Sequence, residues 1–143
     1  MEHIRWITAF LFLGVDSIRD IRTKTIFTRI TILAAIAGII YCLMDSSYPV
    51  IECVGGILLG VAVCFLAFMT REAIGYGDGL VMLGLGALIG GKNCFASSMA
   101  ALIMSGVFAG FLLLFRRAKK QDQIAFVPFL FLGTVTVKVV IGI

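Results

Sequence analysis

Three acidic residues in this chain stand where chemistry could be done. Asp78 closes the run Gly75-Tyr76-Gly77-Asp78, directly ahead of an apolar stretch over residues 79–91. A carboxylate at the edge of a membrane helix is costly, and so marks a functional site by default. The glycines at 75 and 77 have no side chain, which lets another backbone or a substrate come close. Asp16 and Asp20 lie four residues apart, a spacing that projects both from one helix face. Two acids brought together at a membrane edge cannot both ionise easily and come to share a proton. One can then take a proton from water while the other gives one to a carbonyl oxygen, the arrangement of an aspartic protease. On residue type alone the partner of Asp78 is Asp20 or Asp16. The same two acids could instead form local pairs with Arg19, Arg22 or Lys24 and do no chemistry. Glu72 reads as a solvated loop acid and Tyr76 as an interfacial tyrosine.

The elements that must position these acids are membrane helices. Hydrophobic residues make up 61% of the 143, charged residues only 14%, and the mean hydropathy is +1.11. That composition is far from a soluble domain, and apolar runs recur along the whole chain. The fold class expected is all-α: a polytopic membrane helix bundle with six transmembrane helices, in a single domain over residues 1–143. The net charge of +4 does not point to nucleic acid. The bases lie in loops beside apolar helices, where they set orientation and meet anionic lipid headgroups. Cys42, Cys53, Cys64 and Cys94 form no CxxC pair and His3 is the single histidine, so no metal site is expected. Cys42 and Cys53 flank one short loop and could pair; small apolar helix residues is the simpler reading.

Residues 1–15 resemble a secretory signal, but no small-residue cleavage site follows. The expectation is a retained first helix over residues 4–21, with Arg5 snorkelling at its far end. A basic turn leads to a second helix over 27–44, and a loop with Pro49 and two acids to a third over 50–69. The fourth helix, over 79–91, is short: thirteen residues rise roughly 20 Å. It should sit inside the bundle, packed through its glycines, with water reaching one end and Lys92-Asn93 closing it. A fifth helix over 94–115, a basic loop, and a sixth helix from 124 to the end, with Pro128 in its first turns, complete the chain.

With six spans, the loops after helices one, three and five share a side. They carry Arg19, Arg22, Lys24, Arg29, Arg71, Arg116, Arg117, Lys119 and Lys120, against Arg5, Lys92 and Lys138 opposite. This asymmetry places both termini outside and the basic loops in the cytoplasm. Asp16, Asp20 and Asp78 then share the cytoplasmic side.

The residues now carry a resemblance. The run Asp20-Ile21-Arg22-Thr23-Lys24-Thr25-Ile26 resembles the first active-site segment of the type IV prepilin peptidases, where an aspartate precedes basic residues and then Ile-Pro-Asn. Gly75-Tyr76-Gly77-Asp78 matches that family's GxGD motif, and Gly84, Gly86 and Gly90 continue the glycine pattern of its next helix. Phe126-Val127-Pro128-Phe129-Leu130 resembles its late proline-phenylalanine segment. The chain looks like the short form, similar to archaeal preflagellin peptidases and tight-adherence pilus peptidases, without the methyltransferase part of longer enzymes. Aligning on Ile26 selects Asp20 as the partner of Asp78, with Asp16, Gly75 and Gly77 supporting the site.

What the resemblance implies is a GxGD aspartic endopeptidase of the prokaryotic cytoplasmic membrane. It would remove the leader of pilin-like precursors on the cytoplasmic side, with lipid as its surroundings and no cofactor. Two departures stand out: Phe27-Thr28 where Pro-Asn is usual, and Gly79-Leu80 where a small apolar residue and lysine often follow the aspartate. The first keeps open an inactive member acting as an assembly partner. A small cation or solute transporter using the same acids is the other alternative. Asp16, one turn before Asp20, is expected to point into the same polar cleft and to orient or solvate the site.

Overall fold

A computed structural model describes residues 2–71, 75–115 and 124–142. Among these residues the elements are six α-helices with no strand: α1 (Glu2–Thr23), α2 (Thr28–Met44), α3 (Val50–Met69), α4 (Tyr76–Ile89), α5 (Gly91–Leu114) and α6 (Val127–Gly142). Glu72 and the loop bases Arg116, Arg117, Lys119 and Lys120 lie outside the described residues. By length and composition α3 and α5 are able to cross a membrane, while α2, α4 and α6 are apolar but shorter.

The short fourth helix is the core of the bundle, as the sequence predicts. Val81, Leu85, Ala87 and Leu88 on α4 are fully enclosed. Its neighbours come this close because small residues face each other. A methyl group added to Gly56 of α3 would overlap the Gly86 carbonyl of α4, and one on Gly86 would overlap Gly56 in turn. Gly60 meets the Leu83 backbone and Gly38 of α2 meets Ala87 in the same way. In membrane-type bundles such small-residue contacts, which let backbones touch, replace the hydrophobic drive between helices. Leu13, Phe12 and Ala9 of α1 and Leu130 of α6 complete the core on the other side of α4.

Helix ends depart from the sequence reading in one place that matters. The fourth helix begins at Tyr76, not 79, with Gly75 as N-cap, so Asp78 lies inside its first turn. It closes at Gly90, whose φ of 86° lies in the left-handed region open to glycine. Lys92 and Asn93 therefore belong to the first turn of α5 instead of closing α4. Pro128 sits in the first turn of α6, where its missing N–H costs nothing.

Arg5 corrects an expectation. It does not snorkel: it is 3% exposed, its Nε donates to the Leu88 carbonyl (2.8 Å), and its guanidinium lies 3.4 Å from the Tyr48 ring centroid. The reason is the end of α4, whose last carbonyls need donors and whose dipole favours a cation. The four cysteines are free thiols.

Candidate active site

The site is built where α1 ends and where α2, α4 and α6 begin. Helices two, four and six run opposite to α1: Arg5 near the start of α1 meets the end of α4, and Glu2 meets Lys138 near the end of α6. Their N-termini therefore gather around the last turns of α1. Each N-terminus offers unpaired N–H groups and the positive end of a helix dipole, which together make a place for an anion.

Each of the three acids occupies one of these positions. Asp20, 7% exposed, accepts a hydrogen bond on Oδ2 from the main-chain N–H of Val127, the first residue of α6 (3.1 Å). Asp16, fully enclosed, accepts on Oδ1 from the N–H of Phe27, the N-cap of α2 (3.2 Å), and on Oδ2 from the Thr31 hydroxyl (3.3 Å). Asp78, half-buried, lies in the first turn of its own helix, α4. Among the described residues its carboxyl takes no hydrogen bond. So the two α1 acids share a helix face, but their carboxyls serve different helices. Both oxygens of Asp16 hold the start of α2.

The Asp20 charge acts on the carboxyls of both Asp78 and Asp16. Gly75 faces the Asp78 carboxyl, and Gly77 faces Ile26. A Cβ on Gly75 would lie 2.9 Å from Asp78 Oδ2, and one on Gly77 would lie 3.3 Å from Ile26 Cγ1. Gly77 thus brings the segment after Asp20 against the segment that carries Asp78. That segment is pinned locally: Lys24 takes a left-handed φ of 52° and its N–H bonds the Asp20 carbonyl (2.9 Å). Thr23 and Thr25 share a hydroxyl contact of 2.6 Å, and the Arg19 guanidinium covers the Phe27 ring at 3.6 Å.

Sequence reasoning missed the role of Val127 and Phe27, because both act through main-chain N–H groups that residue type does not reveal. Proline, usual at position 27 in the pattern the chain resembles, has no N–H. The departure at Phe27 is what supplies the donor to Asp16. A cleft of about 590 Å³ lined by Ala67, Phe68, Arg71 and Tyr76 adjoins the start of α4.

The family model described as Type IV leader peptidase family matches residues 7–116, a range that holds Asp16, Asp20 and Asp78 and ends before α6. The preflagellin peptidase of Methanococcus maripaludis is 30% identical over 92 residues, 60% of this chain and 39% of that protein. The chain thus spans well under half the length of the curated relative it matches. No solved structure matches it.

Proposed function

Because the chain belongs to the type IV leader peptidase family, we propose that it is an aspartic endopeptidase that removes the leader of a pilin- or flagellin-like precursor, with Asp20 and Asp78 as its reacting carboxyls. The observation that carries this reading is the contact of Ile26, six residues after Asp20, with Gly77, the neighbour of Asp78, at one end of the bundle. The relative is named for action on preflagellin, which supports a precursor of that class as substrate.

The two carboxyls are not equivalent, and this suggests their roles. A main-chain N–H donates to Asp20 and favours its ionised form over its neutral one. Asp78 has no such donor among the described residues, so the shared proton rests there. Asp20 takes a proton from a water whose oxygen bonds to the scissile carbonyl carbon, and Asp78 gives its proton to the carbonyl oxygen. The tetrahedral species then returns a proton to Asp78 as the C–N bond breaks, and Asp20 protonates the leaving nitrogen. Asp16 supports the site by fixing α2, Gly75 by leaving room for the Asp78 carboxyl, and Gly77 by admitting Ile26. The reaction balances with water alone and calls for no cofactor.

The bundle, taken as a single domain over residues 1–143, would span the cytoplasmic membrane six times with both termini outside, as its loop charges suggest. The dyad then lies at the cytoplasmic edge. A precursor helix resting in lipid beside the bundle presents its leader at headgroup level, next to the cleft at Tyr76. Co-expression with a pilin-like precursor tests the reading: leader removal is expected, and neither Asp20→Asn nor Asp78→Asn should support it. Cleavage that survives either change, or that a chelator removes, would defeat it.

A further inference from the structure

At the end of the bundle opposite the three acids lies a second site. Arg5 and Asp20 are fifteen residues apart on α1, roughly 22 Å along the helix. Around Arg5 is a cavity of about 420 Å³, lined among others by Trp6, Asp45, Ser47, Tyr48 and Asn93. That volume suits a small organic group and is far more than one water needs.

The charges around it do not cancel by internal pairing. Glu2 is tied to Lys138 (3.1 Å), and the neighbouring Glu52 to Lys92 (2.9 Å). Arg5 is the one buried base among the described residues, and its Nη2 is buried with no hydrogen-bond partner. The Leu88 carbonyl and the Tyr48 ring satisfy only part of this guanidinium. Burial pushes the Tyr48 phenol above its ordinary value, with Arg5 pulling the other way, so the ring beside Arg5 is neutral at pH 7. A buried, half-satisfied guanidinium calls for an anionic oxygen, and its fork suits phosphate. Asp45 lines the same cavity, and among the described residues its carboxylate takes only the Ser47 N–H (3.2 Å) and pairs with no base. Arg5 and Asp45 make no ion pair with each other. The cavity therefore holds one unmatched positive group and one unmatched negative group, set apart.

We propose that this cavity binds a phosphoethanolamine group, its phosphate on Arg5 Nη2 and its primary ammonium on Asp45. The group could arrive on a phospholipid, at a bundle end where headgroups lie, or as a soluble ester. The proposal stands apart from the protease reading, since neither residue touches Asp20 or Asp78.

The test uses the full chain, purified from detergent into bilayer discs of phosphatidylethanolamine or phosphatidylglycerol, with bound lipid counted by native mass spectrometry. The wild type is expected to retain one phosphatidylethanolamine about tenfold better than phosphatidylglycerol. Asp45→Asn, at a half-exposed loop position, should erase that preference and leave phosphatidylglycerol retention unchanged. Arg5→Gln should weaken retention of both lipids about tenfold. Soluble phosphoethanolamine and inorganic phosphate, titrated against thermal unfolding, identify the source. Stabilisation by soluble phosphoethanolamine at concentrations matching the lipid's makes the ester the ligand, and its absence makes the lipid the ligand. Equal retention of the two lipids by the wild type together with no stabilisation by soluble phosphoethanolamine overturns the proposal, as does a preference that persists in Asp45→Asn. The second result counts even if Arg5→Gln does not fold.

Discussion

Asp20 Oδ2 accepts a 3.1 Å hydrogen bond from the main-chain N–H of Val127, 107 residues further along the chain. The bond joins the last turns of α1 to the first residue of α6. It sets one carboxyl of the proposed dyad in a fixed rotamer beside the start of α4, where Asp78 sits. A buried carboxylate needs compensation, and here the N-terminus of another helix supplies it.

The bond also makes a clean substitution available. In Asp20→Asn the side-chain carbonyl can still accept from Val127, so the fold should survive with less than about 1.5 kcal/mol lost. The proton-transfer capacity is gone, and cleavage of a co-expressed precursor should fall by roughly 10²–10⁴-fold. Asp78→Asn should match it, with no hydrogen bond from the described residues to lose. A mass shift of the precursor from leader removal reads both, and full activity in either variant would remove that residue from the chemistry.

Asp16 is expected to behave as a structural residue that acts on the site through α2. Asp16→Ala strands the half-buried Phe27 N–H, while the Thr31 hydroxyl keeps the Phe27 carbonyl as its acceptor, a loss of about 1–3 kcal/mol. Asp16→Asn keeps one acceptor and should lower the cleavage rate modestly, with the thermal midpoint falling in step. If Asp16→Asn is inactive yet as stable as the wild type, while Asp20→Asn cleaves, Asp16 is the partner of Asp78.

Much of this arrangement was legible in the residues. The glycine run of α4 announced a short, buried helix, because glycines at 79, 84 and 86 suit places where another backbone comes close. The third helix was readable to the residue from its long apolar run, broken by a charge only at Glu52 in the first turn. The start of α4 was not, since Gly75-Tyr76-Gly77 reads as a turn, whereas Tyr76 and Gly77 are helical with Ile26 packed against Gly77. Arg5 looked like a base at a helix end, because nothing local reveals that the carbonyls of α4 lie beside it. The donors from Phe27 and Val127 were invisible for a deeper reason: a main-chain N–H carries no residue signature.

The Tyr48 phenol gives a pH prediction. Burial raises it above its ordinary value of 10.0, while Arg5 works against the rise. The folded chain therefore holds the phenolic proton more tightly than the unfolded chain. The associated stability is present in full below pH 10 and is lost as pH climbs through the higher folded value. Tyr48→Phe keeps the ring over Arg5 and removes the titration. Thermal midpoints followed from pH 8 upward should decline less steeply in the variant than in the wild type. Parallel declines would mean that the phenol is not held in its neutral form.

Gly75 and Gly77 separate two meanings of glycine in one motif. Gly75 has φ −60° and ψ 120°, a conformation alanine adopts without strain. Gly75→Ala should therefore fold normally. Its new Cβ would nonetheless stand 2.9 Å from Asp78 Oδ2, which obliges the carboxyl to turn away. A displacement of that kind at a reacting group costs on the order of 10²-fold in rate, so activity should fall sharply with the thermal midpoint unchanged. Gly77 lies within α4, where alanine is favoured by about 1 kcal/mol. Its Cβ would meet the Ile26 side chain, nearest at Cγ1 (3.3 Å), and that side chain can give by a few tenths of an ångström. Gly77→Ala should keep most of its activity and unfold at the same or a higher temperature. Measuring both variants side by side, with one cleavage assay and one melting curve, decides the matter. A fully active Gly75→Ala would mean that the Asp78 carboxyl does not react from the rotamer seen over Gly75.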